Sequence, residues 1–399
     1  MLSRLLMILI FFGIDLYVFQ AFKTAFGQSA AFPIITGVFW AISGIIAVAI
    51  LLTAFVPRDK WSKSVMVYLP SAFLSLTAGK LVIGLFLFLD DIVRGVRILV
   101  DDGSAGFRIQ ELSIAGIIVA GIPFLLLMYG MIRNAYNYQV RNIKLELKNL
   151  PEALRGLKIV QLSDIHSGSL TRPARVKEAV KRVNDLNPDL IFFTGDLVNM
   201  VASEIEPYIP VFKELKAKYG VYSITGNHDY GDYVQWDTAQ DKKANFQSLM
   251  DSHSKLGWRL LMNEHEKIKV GDSHLGVIGI ENWSAFGRFP KYGNLKRAYQ
   301  GVEGAAVKLL LSHDPSHWKA EVLTEYPNID VMFAGHTHGF QFGFEIGDWK
   351  WSPGQYFYKE WAGLYKTANQ YLYVNRGFGF TFYPGRVGML PEISVFELN

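Results

Sequence analysis

The sequence contains no cysteine in its 399 residues. The chain therefore forms no disulfide bond, has no thiolate nucleophile and cannot build a cysteine-ligated zinc site. Charged residues are also scarce, at 19%, whereas hydrophobic residues make up 50% of the chain. This composition is too apolar for an ordinary soluble enzyme.

A strongly basic region is absent as well. The 40 lysines and arginines are nearly balanced by 36 aspartates and glutamates, which leaves a net charge of +4. Proteins that bind nucleic acids carry clustered positive charge to neutralise phosphates. We therefore expect no nucleic-acid partner.

Long hydrophobic runs fill the N-terminal third. A bilayer core of about 30 Å needs about 20 helical residues, and four segments meet that length. The first is too long for the apolar core of a signal peptide, so we interpret it as an uncleaved anchor. The sequence thus predicts a multi-pass cell-membrane protein, with a transmembrane region over residues 1–132 that contacts the lipid bilayer. The candidate spans are Leu5–Phe22, 31–56, Val65–Leu89 and Ser113–Ile132.

Two charges lie inside these spans, Asp15 in the first and Lys80 in the third. Charges at such depth are costly and are usually paired. With four spans, the first and third run in the same direction, so an ion pair between them is a reasonable expectation. The alternative is that Lys80 extends its ammonium to the membrane surface.

The distribution of lysine and arginine between the loops predicts the orientation, because basic loops favour the cytoplasmic side. The side that carries the chain termini has more of them, which places the C-terminal domain in the cytoplasm. The cations on that side are Arg4, Arg58, Lys60, Lys63, Arg133, Arg141, Lys144 and Lys148; those opposite are Lys23, Arg94, Arg97 and Arg108.

Five short polar motifs follow the membrane region, and each comes directly after an apolar, β-prone stretch. Because α/β folds place their chemistry at the carboxyl ends of strands, these motifs are expected to meet at one edge of a sheet. They are Asp164-Ile165-His166, Gly195-Asp196, Gly226-Asn227-His228-Asp229, Ser312-His313-Asp314 and Gly335-His336-Thr337-His338.

The side chains in these motifs are typical metal ligands. Carboxylate, imidazole and amide oxygen without thiolate suit Mn, Fe, Zn or Ni. Seven such groups exceed what one ion needs, so they predict two divalent ions, with manganese the first choice. Two ions about 3.5–4 Å apart can hold a hydroxide between them and clamp a phosphoryl oxygen. That chemistry hydrolyses phosphoesters.

In these motifs the chain resembles the calcineurin-like metallophosphoesterase superfamily, whose pattern is D-x-H, G-D, G-N-H-[DE], a lone His and G-H-x-H. The resemblance spans roughly residues 156–340 and implies which side chains hold each ion. Asp196 would bridge the two ions. One ion would be bound by Asp164, His166, Asp196 and His338, and the other by Asp196, Asn227, His313 and His336.

The resemblance also implies that His228 binds no metal and instead protonates or stabilises the leaving group. Asp229 would orient His228; the alternative is that it only caps a helix. Many members carry Asp three residues after the bridging Asp, where this chain has Asn199. That departure leaves the metal ligands intact. It puts in doubt any contact that the aspartate charge would make with a ligand or its neighbours.

The rest of the chain predicts an α/β domain with a mixed sheet. Residues 133–155 form a linker with an edge strand at Val140–Leu147, and residues 156–399 form the metallophosphoesterase domain, for which the resemblance implies α/β/β/α layers. We expect helices at Arg175–Asn187 and Ile205–Lys218 and an insertion over the site at 231–266.

Towards the C-terminus, 373–379 and 391–393 are similar to a membrane-associated branch of the superfamily that includes phosphodiesterases and UDP-2,3-diacylglucosamine pyrophosphatases. This makes Arg376 and Asn375 candidate substrate contacts. Cations between 281 and 297 could instead grip a second phosphate, and the aromatic residues of 356–365 form either an amphipathic wall near lipid or ordinary core.

The sequence therefore favours a membrane-anchored metallophosphodiesterase or pyrophosphatase. Its best-matched substrate is a nucleotide-linked glycolipid such as UDP-2,3-diacylglucosamine, a precursor in lipid A biosynthesis. Two alternatives stay open. One is a hydrolase of soluble substrates such as cyclic nucleotides or cell-wall phosphates, and the other is an inactive membrane scaffold or sensor.

Overall fold

The computed structural model describes residues 2–56, 60–100, 107–347 and 349–399. The chain divides into two compact units, Met1–Tyr129 and Gly130–Asn399. Among the cations counted for orientation, Arg58 lies outside the described residues, and so does the side chain of Arg4.

The first unit consists of four helices, each long and apolar enough to cross a membrane. The four predicted spans are confirmed. Many of their large apolar side chains point outwards, for example Leu9 and Ile34, as lipid-facing residues do because hydrocarbon solvates them. The third helix continues past the predicted end at Leu89. The helices are α1 (Leu2–Phe26), α2 (Phe32–Phe55), α3 (Lys63–Val100) and α4 (Gln110–Tyr129).

The two charges within these helices meet. The Lys80 ammonium on α3 forms an ion pair with the Asp15 carboxylate on α1, and both side chains are buried. The Lys80 nitrogen also lies 3.7 Å from the centre of the Phe11 ring. The predicted ion pair is confirmed, and its burial means that either charge alone would be left uncompensated in an apolar environment.

We therefore expect Asp15→Asn and Lys80→Met each to reduce the yield of folded protein, because removing one partner of a buried pair costs roughly 3 kcal/mol. The double variant should recover part of that loss, since it leaves no lone charge. The measurement is the monodisperse fraction after detergent extraction. Lys23→Met, at an exposed position near the end of α1, is the control. Additive losses in this double-mutant cycle would show that the two charges are energetically independent.

The second unit contains two six-stranded mixed sheets. The first has the order β1-β14-β2-β3-β4-β5, with only β14 and β2 antiparallel. The predicted edge strand is β1, which pairs in parallel with the last strand of the chain. These strands are β1 (Gln139–Leu145), β2 (Lys158–Leu162), β3 (Leu190–Phe193), β4 (Val221–Ser223), β5 (Arg259–Leu260) and β14 (Glu392–Leu398).

The second sheet has the order β12-β13-β9-β8-β7-β6, in which the two outer pairs are antiparallel and the inner strands are parallel. A separate hairpin, β10 with β11, follows β9. The strands are β6 (Glu264–Val270), β7 (Ser273–Gly279), β8 (Val307–Leu311), β9 (Val331–Ala334), β10 (Phe344–Ile346), β11 (Trp349–Trp351), β12 (Gly363–Thr367) and β13 (Gln370–Val374).

The two sheets pack face to face, and helices cover their outer faces. Phe192 of β3 and Phe333 of β9 contact each other across the shared core, with ring centres 5.3 Å apart. Neighbouring residues alternate between layers: Leu309 and Leu311 face this core, whereas Leu310 packs in the outer cluster with Trp318. The α/β/β/α architecture is confirmed. The helices are α5 (Pro173–Asp185), α6 (Ile209–Phe212), α7 (Ala239–Leu256), α8 (Leu295–Tyr299) and α9 (Leu323–Glu325).

Two local predictions are wrong. The helix expected at Ile205–Lys218 is only the four-residue α6 after a 3₁₀ segment, because Pro207 and Pro210 interrupt the hydrogen-bond ladder. The stretch 231–266 is not simply an insertion, because it contains α7, β5 and the start of β6. Strand β5 belongs to the first sheet and β6 to the second. Helix α5, by contrast, forms as predicted and buries Val176, Ala179, Val180 and Val183.

Candidate metal centre

The five motifs meet at one end of the two sheets. Asp164 and His166 follow β2, Asp196 follows β3, and Asn227 follows β4 in the first sheet. The second sheet contributes His313 after β8, and His336 and His338 after β9. The structure therefore brings together all seven side chains that the sequence indicates as ligands.

The backbone at these positions is strained. Five of the seven candidate ligands have positive φ, a conformation that residues other than glycine rarely adopt. Such strain is concentrated at functional sites, where the surrounding structure enforces it. Here it turns each side chain sharply inwards from the end of its strand. The residues are Asp164 (φ 53°), His166 (φ 46°), Asp196 (φ 59°), His336 (φ 71°) and His338 (φ 52°).

Two glycines of the motifs allow the strands to approach this closely. A Cβ atom added to Gly226 would lie 2.3 Å from Oδ1 of Asp196, and one added to Gly335 would lie 2.2 Å from Oδ2 of Asp164. Both distances are far below van der Waals contact. Any other residue at either position would push a candidate ligand out of place.

The ligand atoms form two overlapping groups. In the first, Nε2 of His338 lies 3.0 Å from Nε2 of His166 and 3.3 Å from Oδ1 of Asp164. In the second, Nδ1 of His336 lies 2.8 Å from Oδ1 of Asn227 and 3.3 Å from Nε2 of His313.

Asp196 lies between the two groups. Its Oδ2 is 3.5 Å from Nε2 of His166 and 3.2 Å from Nε2 of His313. The ligand atoms of Asp196, His313 and His336 all lie within 4.8 Å of one another, and those of Asp196, His166 and His228 do so as well. One carboxylate thus faces both halves of the centre.

The protonation states of the histidines fit a cation site. Burial lowers the pKa of His166 to about 3 and that of His336 to about 4, so both are neutral near pH 7, the form that binds metal. Burial alone would also lower the pKa of His313, but the charges of Asp196 and Asp164 outweigh it and raise the pKa to about 10. The centre therefore stabilises positive charge beside Asp196, and its nitrogen and oxygen donors suit divalent transition metals.

Two neighbouring groups fix how the second set of histidines points. Nδ1 of His313 lies 2.7 Å from the carbonyl oxygen of Thr194, so Nδ1 carries a proton and the ring turns Nε2 towards the centre. Nε2 of His336 lies 2.8 Å from the Tyr358 hydroxyl, which leaves Nδ1 facing the centre. Sequence reasoning named Tyr358 only as one of several aromatic residues, because its position next to His336 depends on the tertiary structure.

Arg386 is a second residue that sequence reasoning missed. Its guanidinium is fully buried and donates to the carbonyl oxygens of His338 (3.1 Å), Arg376 (2.6 Å) and Gly377 (3.2 Å), and also to that of Gly379. It therefore ties the loop after β9 to the segment after β13. The sequence shows an arginine between Gly385 and Gly388, but it does not show that this arginine is buried. For that reason no local signal pointed to Arg386.

His228 lies beside the ligands and is half-buried. Its Nδ1 is 2.7 Å from the carbonyl oxygen of Asn199, so Nδ1 carries a proton and Nε2 is left for a further partner. The contact uses the main chain of Asn199, so the replacement of the family's Asp by Asn does not affect it. The Asn199 side chain instead donates to Ser169 Oγ at 2.9 Å.

Asp229 takes the second of its two predicted roles, that of a helix cap, because its carboxylate accepts from the N–H of Gly226, the residue before the 3₁₀ segment Asn227–Tyr230. Its carboxylate accepts hydrogen bonds from the backbone N–H groups of Asp196 (2.9 Å), Leu197 (2.9 Å), Val198 (3.3 Å) and Gly226 (2.9 Å). It thus holds the turn that presents Asp196, whereas Asn199 takes the position next to His228. The physical reason is that the strained turn leaves N–H groups which need an acceptor.

Arg376 and Asn375 have internal partners. Both are buried, and the Arg376 guanidinium pairs with the carboxylates of Glu392, at 2.7 Å, and of Glu345. Asn375 donates to Ser394 Oγ at 2.8 Å. These partners give both side chains a structural role, and a contact with substrate stays a prediction.

A cavity of about 240 Å³ opens over the candidate ligands. Beyond them it is lined by His228, Arg288, Phe289, Phe340 and Tyr358, among others. Arg288 is the cation of the 281–297 stretch that reaches this cavity, whereas Lys291 packs on the Trp283 ring at 4.4 Å. An anionic group above the ligands would therefore meet a guanidinium and the aromatic rings of Phe289, Phe340 and Tyr358.

Comparison with protein families agrees with this geometry. Residues 157–340 match the family model described as "Calcineurin-like phosphoesterase", and residues 2–135 match "Probable Calcineurin-like phosphoesterase, transmembrane domain". A metallophosphoesterase of Bacillus subtilis, YkuE, is 30% identical over 276 residues, which cover 68% of this chain and 90% of the relative. The chain belongs to the calcineurin-like phosphoesterases. It is a membrane protein of that family.

Other relatives of this calcineurin-like phosphoesterase differ in length. A "Transmembrane protein with metallophosphoesterase domain" of Danio rerio is 30% identical over 281 residues, which cover 68% of this chain but 60% of the relative. The UDP-2,3-diacylglucosamine pyrophosphatase LpxG of Chlamydia muridarum is 28% identical over 223 residues, 47% of this chain and 64% of the relative. The chain thus spans less than two thirds of both of these proteins.

Proposed function

We propose that the chain is a membrane-anchored phosphodiesterase or pyrophosphatase that uses two divalent ions. Manganese is the proposed metal. The observation that carries this proposal is the position of Asp196, whose carboxylate faces both groups of ligands. Asp164, His166 and His338 would hold one ion with Asp196, and Asn227, His313 and His336 the other. When bound, such ions polarise a phosphoryl oxygen and supply a nucleophile at neutral pH.

The chain's own residues would handle the leaving group. With Nδ1 of His228 donating to the Asn199 carbonyl, a proton on Nε2 can pass to the leaving oxygen or stabilise its charge. Asp229 would act indirectly, by fixing the turn that holds Asp196. We therefore assign it a positioning role.

The proposed substrate is a nucleotide-linked glycolipid of the UDP-2,3-diacylglucosamine kind. The LpxG relatives and the membrane helices support it, since an anchored enzyme gains most from a substrate that is itself in the membrane. In a pyrophosphate, Arg288 would bind the phosphate that is not attacked, because guanidinium groups form bidentate hydrogen bonds with phosphate oxygens.

The direct test compares UDP-2,3-diacylglucosamine with UDP-N-acetylglucosamine, which has the same pyrophosphate but no long acyl chains. The full chain in lipid nanodiscs with Mn²⁺ should hydrolyse the lipid substrate with a kcat/KM at least about tenfold higher, equivalent to about 1.4 kcal/mol. Equal or better hydrolysis of soluble substrates, including cyclic nucleotides, would favour the soluble alternative. No turnover of any phosphodiester would leave the scaffold alternative.

Arg288→Met should raise the KM for the pyrophosphate substrate by roughly tenfold, as expected for the loss of a hydrogen bond to a charged group. Hydrolysis of bis-p-nitrophenyl phosphate, which has no second phosphate, should change much less. Lys291→Met, next to it in the same loop but packed on Trp283, is the matched control. An equal effect of Arg288→Met on both substrates would argue against a contact with the second phosphate.

We propose that the second unit, Gly130–Asn399, lies in the cytoplasm, because the loops on its side of the membrane carry more lysine and arginine. We call it the catalytic unit. Of the cations on the opposite side, Arg108 pairs with Asp90 and Asp91, and Arg94 with Asp91. The rule counts lysines and arginines rather than net charge, so these pairs leave the bias unchanged. Reporter fusions after residue 140 that become active on the outer face would reverse the assignment.

A further inference from the structure

The catalytic unit exposes an unusual number of aromatic side chains next to its cavity. We call this set the aromatic rim. Phe382 is 91% exposed, Tyr356 73%, Trp349 65% and Phe357 58%. Monomeric soluble proteins rarely expose contiguous apolar groups of this size, and such patches mark interaction sites. The rim consists of Phe340, Phe342, Trp349, Tyr356, Phe357 and Phe382.

The rim is continuous and reaches the cavity. Phe340, which lines the cavity, stacks on Phe357 with ring centres 5.5 Å apart. On the hairpin, Trp351 lies 6.4 Å from the Phe342 ring and its Nε1 is 3.4 Å from the Tyr356 hydroxyl.

The loop that carries Phe382 joins the rim from the other side. The backbone N–H of Thr381, the residue before Phe382, donates to Oε1 of Gln341 at 2.7 Å. Gln341 itself lies between Phe340 and Phe342 in the sequence, and Thr381 lines the cavity. The stacked rings of Phe340 and Phe357 therefore form an apolar link from the open surface to the cavity over the metal centre.

The hairpin β10–β11 is inverted relative to an ordinary surface strand pair. Its paired residues Glu345 and Lys350 face inwards, where Glu345 contacts Arg376 and Arg141, and Lys350 contacts the Ala362 carbonyl. The alternate pair, Ile346 with Trp349, faces outwards and is 69% and 65% exposed. Strands that face water have the opposite arrangement, with apolar residues inside.

The inward ion pairs explain why the exposed side chains do not collapse into the core. Arg376 is held between Glu345 and the buried Glu392, so the hairpin is fixed to β14 by charge. Turning the hairpin over would bring Trp349 inside only by exposing this network and breaking its hydrogen bonds. The inward ion pairs therefore keep the Ile346 and Trp349 face of the hairpin exposed.

We propose that the aromatic rim lies in the interfacial layer of the bilayer that this same chain spans. Trp, Tyr and Phe favour that layer, where ring faces contact acyl chains and polar tips meet headgroups. Helix α4 ends at Tyr129 and the catalytic unit begins at Gly130, so no long linker removes it from the membrane. A lipid substrate then keeps its acyl chains in the bilayer while its phosphate passes Phe340 into the cavity. This purpose rests on the proposed function; the membrane contact itself does not.

The absence of cysteine allows a clean test, because a single introduced cysteine is the only site for a thiol label. Trp349→Cys and Phe357→Cys would each carry a nitroxide in the full chain, reconstituted in nanodiscs of phosphatidylethanolamine and phosphatidylglycerol. Lys181→Cys on α5, an exposed position distant from the rim in sequence, is the control. The measurement is the accessibility of each nitroxide to oxygen and to a water-soluble nickel chelate.

We expect both rim labels to be more accessible to oxygen than to nickel, and the label at 181 to show the reverse. Nickel accessibility at the rim equal to that at 181 would overturn the proposal. So would dipolar broadening between rim labels that disappears at one chain per nanodisc, because it would identify a second copy of the chain as the occupant.

The same labelled variants, with Asp196 unchanged and assayed for hydrolysis of UDP-2,3-diacylglucosamine, separate this proposal from the proposed function. Membrane contact without hydrolysis of a lipid substrate would refute the function alone. Hydrolysis of the lipid substrate with a water-exposed rim would refute the membrane contact alone.

Discussion

Asp196→Asn is expected to abolish phosphodiester hydrolysis more completely than any other change of a single candidate ligand. The amide has no negative charge to balance two cations, and Asp196 faces both groups of ligands. Loss of metal-derived transition-state stabilisation amounts to several kcal/mol, so turnover should fall by roughly 10³-fold or more. The measurement is metal content per chain together with the turnover of bis-p-nitrophenyl phosphate.

Asp164→Asn is the matched control for this variant. Asp164 belongs to a single group of ligands, with His166 and His338. Its replacement by Asn should therefore weaken the binding of one ion and leave the binding of the other unchanged. The backbone N–H of His336 donates to Asp164 at 3.0 Å, a contact that an amide oxygen can still accept. Two retained ions and near-normal turnover in Asp196→Asn would refute its bridging role.

His228→Asn should retain both ions and lose turnover by roughly 10²–10⁴-fold, the usual range for a general acid or base. The loss should be smaller for a nitrophenyl ester than for an alkyl ester, because a good leaving group needs no proton. Steady-state rates for both esters, with metal content measured in parallel, test this.

Two outcomes would contradict this role of His228. An equal loss for both leaving groups would leave only a positioning effect. Loss of an ion would make His228 a ligand, which its closeness to His166 and Asp196 permits geometrically.

The sequence could predict the elements whose signal is local. Each ligand motif stands directly after an apolar strand, and the buried face of α5 follows from the helical spacing of Val176, Ala179, Val180 and Val183. The membrane helices are predictable for the same reason, since length and composition alone determine them.

Features that depend on the assembled fold could not be predicted. Three of the four N–H partners of Asp229 lie about 30 residues away, in a strained turn that no local pattern reveals. Arg386 acts through carbonyl oxygens of segments that meet only after folding. Among the aromatics of 356–365, the interpretation as core holds for Tyr358 and Trp361, whereas Tyr356 and Phe357 are exposed and a position near lipid stays a proposal.

The measurement that tests the central claim most directly is a titration of the metal-free chain with Mn²⁺. After chelation, the purified full chain is loaded stepwise while hydrolysis of bis-p-nitrophenyl phosphate is followed. Two ions sharing Asp196 predict that activity is absent after chelation and rises to a plateau at about two equivalents. Full activity after chelation, or a plateau at one equivalent, would contradict a dinuclear centre.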